Sequence, residues 1–450
     1  MPRPRTVRDR VVLVGCMLLG MSVLAPFNAL ISSIEYFHDA FRGTPLERVF
    51  SSGIITTFNA TAVVCALLAT LTGNTKRASP VTRIRFTLVA CMVIDCVVLL
   101  TIALRGLDPP VHTYMYYMVL LAIAMAFALV QAYLQSATMV LCTHLDTDGH
   151  VMSYMLLGQA MNGVVGSIVN LLVSSMAAWR AGTADTDVDT SRKHAFQNAQ
   201  AAIGVFGWTL LLQLITLDLF ARMLRVPVVQ SCVRSWMGDT HHDATMEGSD
   251  AMAWNHILRV QKRITLWSMS NFMLFAFTML VYPGLTSRVR TVTENRWLEN
   301  PGVFIALHIV AMNVGDLAGR RLPLLWPRLH IQRPSLALAL SALRVLFIPA
   351  YLLCHMWASQ PLTLPDSVFF LLTVVLGVTT GSCSTSFLIS GPKSVQASAP
   401  DAREQTTLLA SSESDAADQD TAVASMLMSF WILAGLTAGS FLSILMNAII

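Results

Sequence analysis

Eleven apolar runs of bilayer-spanning length leave this chain few ways to fold. They extend approximately from Val11 to Tyr36, Val49 to Leu71, Phe86 to Leu104, Tyr114 to Cys142, Val151 to Ala177 and Ala201 to Met223, then from Ile264 to Leu285, Val303 to Trp326, Ser335 to Met356, Ser367 to Ser390 and Thr421 to Ile449. Each has about the 20 residues that a helix needs to cross the hydrocarbon core. Lipid offers no partner to a backbone N–H or C=O, so each run is expected to be a helix. With 54% hydrophobic and 12% charged residues and a mean hydropathy of +0.60, the chain lies outside the range of ordinary soluble domains. The expected fold class is an all-α polytopic membrane protein.

An odd number of crossings puts the two termini on opposite sides. Twenty Lys and Arg fall on the side that holds the N-terminus, nine on the other, and Arg344 lies within a helix. Cytosolic loops carry the excess, so the chain is expected to begin in the cytosol and end outside the cell. The first run is too long for the apolar core of a signal peptide and shows no small-residue cleavage site, so it is read as the first helix. The net charge of +4 follows from these loops and gives no support for nucleic-acid binding. Of eight cysteines, seven fall in or at the ends of helices and Cys232 lies in a cytosolic loop, which argues against a disulfide framework.

Polar stretches divide the chain. The stretch 224–263 separates six helices (1–223) from five (264–450), a 6+5 pair of bundles, and contains the polar run Gly238 to Asp243. Its distal part, Met252 to Lys262, reads as an amphipathic helix on the cytosolic interface or as a solvated linker. Residues 396–420 are acidic, rich in Ser, Ala and Thr and free of aromatics, and are expected to be a disordered cytosolic loop. Within them Glu404 to Leu409 resembles an acidic dileucine signal, which would add an endosomal pool.

Ionisable groups inside a bilayer are expensive and by default mark function. Asp316 and Arg320 stand one helical turn apart in the eighth run, where they share a face and can pair, with Asn313 on the same face. The pair alone would serve as structural neutralisation; three converging polar groups suit a ligand rich in donors and acceptors. In the fourth run Gln131 and Gln135 repeat the spacing. A glutamine amide donates and accepts together, which matches the edge of a heterocyclic base, although glue between helices uses the same residue. Pro26 and Asn28 suggest a kink facing a cavity, with Phe27 as a stacking face. Pro283 and Pro349 read as kinks without specific function. Gly158, Gly163 and Gly166, near Gln159 and Asn162, permit close helix packing. Asp95 and Arg344 are intramembrane charges that need partners in space; Asp95 is a structural acid or takes part in proton coupling. Asn59-Ala60-Thr61 fits a glycosylation pattern but falls inside a helix.

Taken in order along the chain, these motifs resemble the equilibrative nucleoside transporter family. Leu24-Ala25-Pro26-Phe27-Asn28 with Tyr36-Phe37 is similar to the family's Leu-Leu-Pro-Trp-Asn and Tyr-Phe, and Leu134-Gln135-Ser136, Gly158-Gln159 and Tyr282-Pro283 also match. Asn313, Asp316, Gly319 and Arg320 fit Asn-x-x-Asp-x-x-Gly-Arg, Arg344 and Pro349 fit Arg-x-x-Phe-x-Pro, and Gly391-Pro392-Lys393 fits Gly-Pro-Lys. The resemblance implies a major-facilitator-like fold whose two bundles rock about a central site. It further implies that Gln135 binds a nucleobase, that Asp316 and Arg320 bind the ribose or the polar edge of the base, and that Leu24, Phe27, Asn28, Ile31 and Asn313 line the cavity. Pro26, Gly158, Gln159, Arg344 and Asp95 would then be structural or gating residues.

Three departures from the family pattern stand out. Phe27 replaces a common Trp, Gln131 occupies a position where a small residue is usual and would narrow the site, and the acidic linker is long. With the arginine-rich loops they resemble a protozoan, trypanosomatid branch that takes up purine nucleosides or nucleobases, often with a proton. Asp316, already paired with Arg320, makes a poor proton carrier unless substrate separates the pair. The expected protein is thus a plasma-membrane purine permease with no cofactor and no metal; a carrier for another small polar or cationic organic solute is the alternative. An intramembrane aspartyl protease fails on its residues: position 313 is Asn where that motif needs Gly, and no His-Glu-x-x-His pattern occurs.

Overall fold

The computed structural model describes residues 7–47, 50–74, 79–105, 112–145, 150–181, 188–233, 250–295, 297–354, 364–396 and 407–449. Its helices are α1 (Val7–Ser32), α2 (Ile34–Phe41), α3 (Phe50–Asn74), α4 (Pro80–Arg105), α5 (Thr113–Leu145), α6 (His150–Ala181) and α7 (Val188–Met223) in the first half. The second half holds α8 (Asp250–Met279), α9 (Pro301–Leu325), α10 (Pro334–Leu343), α11 (Phe347–Leu352), α12 (Asp366–Gln396) and α13 (Thr407–Ile449). Among the described residues eleven spans are long and apolar enough to cross a membrane, α10 and α11 together making one of them.

Local chemistry sets several helix ends. At the start of α9, Asn300 accepts from the N–H groups of Gly302 and Val303, and Pro301 occupies a first position where no N–H is needed. After α8 the chain passes through a kinked π-helical segment, Leu280–Leu285, in which Tyr282 is extended at φ −117° and ψ 126°. Pro283 excludes the α conformation from the residue before it, which explains this break. Pro349 has no N–H for the Val345 carbonyl, and the ninth span accordingly passes through a 3₁₀ turn at Arg344–Leu346 before α11. By contrast α1 stays helical through Pro26.

Three expectations change. The stretch Met252 to Lys262 is the first part of α8, continuous with a membrane span, and not a separate interfacial helix; the preceding polar run 238–243 lies outside the described residues. The acidic stretch, expected to be disordered, is helical from Thr407 onward, where it continues backward the helix of the last spanning segment. Its first part, with Glu404, lies outside the described residues. The apolar run ending at Tyr36 is broken at Ser33, after which α2 starts afresh.

Within the first half, α1 packs on α5, α6 and α7, and α5 also packs on α3 and α4. Within the second, α9 packs on α12, and α8 packs on α10, α12 and α13. The halves meet where α6 lies against α9 and where α13 lies against α3 and α5. A hydrogen bond between the Thr143 and Ser425 hydroxyls at 2.9 Å and one from Asn59 to Ser440 at 3.3 Å cross this seam.

Candidate functional site

The seam encloses a cavity of about 210 Å³, walled by α1, α3, α5 and α6 on one side and by α8, α9, α12 and α13 on the other. Leu24, Phe27, Asn28, Gln131, Gln135, Asn313, Asp316 and Arg320 all line it, although they come from three helices far apart in sequence. The volume falls below the roughly 300–1,000 Å³ of drug-sized sites, so a small solute suits it.

Its polar groups are arranged in two sets. On α9, Arg320 Nε donates to Asp316 Oδ2 at 2.9 Å, and the two side chains are only 8% and 13% exposed. The helical spacing makes the pair, but it uses one carboxylate oxygen: Asp316 Oδ1 is buried and has no hydrogen-bond partner among the described residues. Across the cavity, Gln159 Nε2 of α6 donates to Gln135 Oε1 at 2.7 Å, fixing that amide and leaving its NH₂ group for a ligand. Gln131 Oε1 and Asn28 Nδ2 are likewise buried and without partners among the described residues. A carboxylate oxygen, an amide oxygen and an amide NH₂ left over around one cavity offer acceptors and a donor to a polar ligand.

Apolar walls complete the site. Phe27 leans on Phe58 of α3, ring centroids 4.9 Å apart and planes at 42°, and Phe275 and Leu388 come from the second half. Asn313 spends its NH₂ on the Ile309 carbonyl of its own helix at 3.0 Å.

The structure leaves other expected residues elsewhere. Ile31 is 38% exposed and faces a separate crevice beyond the Phe27 and Phe58 rings, which stand between it and the cavity. Its i+7 spacing from Leu24 makes it look like a wall residue, but α1 ends one residue later. Arg344 is buried and finds hydroxyls in place of a carboxylate: it donates to Thr278 at 2.6 Å and Thr379 at 2.8 Å, tying α8 to α12. Asp95 is fully buried inside the first half, 3.5 Å from the Gln213 amide nitrogen, and does not line the cavity. Gly158 lies where α6 crosses α1. Phe58, Asn59 and Ser384 line the cavity without having been singled out as ligands. Asn59 carried a signal, being a polar residue in an apolar span.

Because Gln159 holds Gln135, its loss is expected to act through Gln135. Gln159→Ala and Gln135→Ala should each raise the apparent KM for substrate roughly five- to tenfold, about the worth of one neutral hydrogen bond. The double variant should cost little more than either alone. Uptake kinetics normalised to surface protein test this; additive losses would show that the two amides act independently.

The nucleoside transporter family model matches residues 231–412. Equilibrative nucleoside transporter 3 of Rattus norvegicus is 28% identical over 251 residues, 53% of this chain and 50% of that protein. Adenosine transporter 1 of Crithidia fasciculata is 28% identical over 221 residues, 47% of this chain and 38% of that one. This chain thus spans half or less of the length of these curated relatives. In three dimensions it is similar to the Escherichia coli fucose:proton symporter FucP, a major-facilitator protein, with a TM-score of 0.57 over 97% of this chain and 96% of that one at 13% identity. That likeness is one of fold. Together with the motifs set along its helices, these matches make the chain similar to equilibrative nucleoside transporters, and its fold is that of the major-facilitator proteins.

Proposed function

We propose that this chain carries purine nucleosides or nucleobases across a membrane by alternating access. The observation that carries the reading is the central cavity between the halves, whose Asp316, Gln131 and Asn28 atoms lack partners among the described residues while Arg320 and Gln135 keep donors in reserve. Such a set presents donors and acceptors to a heterocyclic base and to ribose hydroxyls, and Phe27 with Phe58 offers an aromatic face. The names of the rat and Crithidia relatives support a nucleoside, and the latter a purine. Gln131 takes space from the cavity, which favours the smaller free base.

In this reading residues 1–223 and 264–450 act as the two rocking bodies, and a site at the seam is reached from either face in turn. The N-terminus faces the cytosol and the C-terminus the outside of the plasma membrane, as the basic loops suggest. Proton coupling is open to the same experiment. Radiolabelled adenosine, inosine, adenine, hypoxanthine and uridine would be offered to purine-transport-deficient cells expressing the chain, in acidic and in neutral medium. Saturable purine uptake is expected, with counterflow; stimulation by acid would establish symport. Surface expression with no uptake of any of the five would overturn the proposal in favour of another small polar or cationic solute.

A further inference from the structure

A second cavity, of about 930 Å³, lies where α6 begins and α9 and α12 end, and shares no lining residue with the central site. Helix α12 walls both cavities, with Leu388 in the central one and Ile389 in this one. Among the described residues its basic side chains are Arg263, Lys393, His150 and His330, and none that lines it is Asp or Glu.

The charges are unequally compensated. Arg263 is paired with Asp420 at 3.2 Å, whereas Lys393 has no ion pair among the described residues. The uncancelled ammonium is felt next door: burial first, and Lys393 second, hold the His330 imidazole below the ordinary histidine range. That ring is nonetheless fixed. Ser390 donates its hydroxyl to the Ile331 carbonyl at 2.9 Å and so accepts from His330 Nε2 at 3.1 Å. An excess of Lys and Arg is usual on a cytosolic face, but an ammonium left without an ion pair beside a second basic side chain in one cavity is not. The Lys393 ammonium, the Arg263 guanidinium and the His150 imidazole form a set suited to a phosphate monoester.

We infer that this cavity binds a soluble phosphate monoester and that, because α12 walls both cavities, a nucleoside 5′-phosphate seated here inhibits transport. The nucleoside part of the ligand rests on the proposed function; the phosphate part does not. This makes the site an inhibitory one, responsive to the class of kinase reaction that would consume an imported nucleoside.

Purified full-length protein in lipid nanodiscs would be titrated with adenosine 5′-monophosphate, inorganic phosphate and adenosine, for the parent chain, Lys393→Gln and His150→Gln. The expected result is binding of the monophosphate, weakened tenfold or more in Lys393→Gln and measurably in His150→Gln, with adenosine binding retained to show that both variants fold. Phosphate binding without adenosine binding would uphold the anion site while defeating the nucleoside reading. Monophosphate binding that ignores both substitutions, or its absence while adenosine binds, would overturn the inference. So would binding confined to nanodiscs that contain a phosphoinositide, which would assign the cavity to a lipid headgroup.

Discussion

Arg320→Lys is expected to cut transport roughly 10- to 100-fold while leaving the protein at the cell surface, the loss corresponding to one charge-assisted hydrogen bond of about 1.5–3 kcal/mol. The charge is preserved, so a role limited to neutralising Asp316 would predict almost no effect. The geometry says otherwise. Arg320 uses Nε for Asp316 Oδ2 at 2.9 Å, its one hydrogen bond among the described residues, and the planar guanidinium keeps two further nitrogens in a fixed relation to that bond. A lysine has a single ammonium on a flexible stem and cannot hold the carboxylate and a ligand in the same rigid arrangement. Asp316→Asn should be at least as damaging, because it leaves a nearly buried guanidinium without its counter-charge. Kinetics paired with surface biotinylation separate the cases. Normal uptake at normal expression in Arg320→Lys would reduce the pair to structural support and move substrate recognition to the glutamines of α5.

Much of this site was legible before any coordinates. Polar residues one turn apart in apolar runs, Asp316 with Arg320 and Gln131 with Gln135, point to a shared face because a helix repeats every 3.6 residues and lipid forbids such groups on the outside. The spans are legible for the same reason, since the solvent dictates both length and composition. What sequence does not carry is which faces meet. Gln159 looks like a packing residue until α6 is laid against α5, and only then does its amide become the group that orients Gln135. Ile31 errs in the other direction: it has the right spacing on α1, but an aromatic pair with Phe58, contributed by a helix that nothing in the local sequence ties to Phe27, walls it off. The acidic segment before the last span was misread because composition reports on average solvation, whereas a long following helix can propagate backward through it.

Gly158→Ala is expected to be the more disruptive change to the fold although it adds one methyl group. Here α1 and α6 cross with their backbones touching: a Cβ on Gly158 would fall on the Met17 carbonyl oxygen, and one on Gly20 would fall on that of Met155. Backbone cannot rotate aside as a side chain can, so the helices must separate, and overpacking of this kind costs about 1–3 kcal/mol or more. A loss of that size reduces steady-state abundance severalfold, so surface protein should fall before any kinetic constant changes. Gly163, five residues along the same helix, provides the contrast. A Cβ there would meet only the Asn313 side-chain oxygen, at 2.6 Å, which can swing away. Gly163→Ala should therefore reach the surface and alter KM, because Asn313 lines the cavity. The same separation of roles recurs between α9 and α12, where a Cβ on Gly319 would fall on the Val378 carbonyl and one on Gly381 on that of Asp316. That seam holds the backbone from which Asp316 and Arg320 project, so the close packing of small residues and the placing of the charged pair are two consequences of one helix contact. Equal surface levels for Gly158→Ala and Gly163→Ala would contradict this account of α6, and would mean that the crossing of α1 and α6 can open without unfolding the half that contains it.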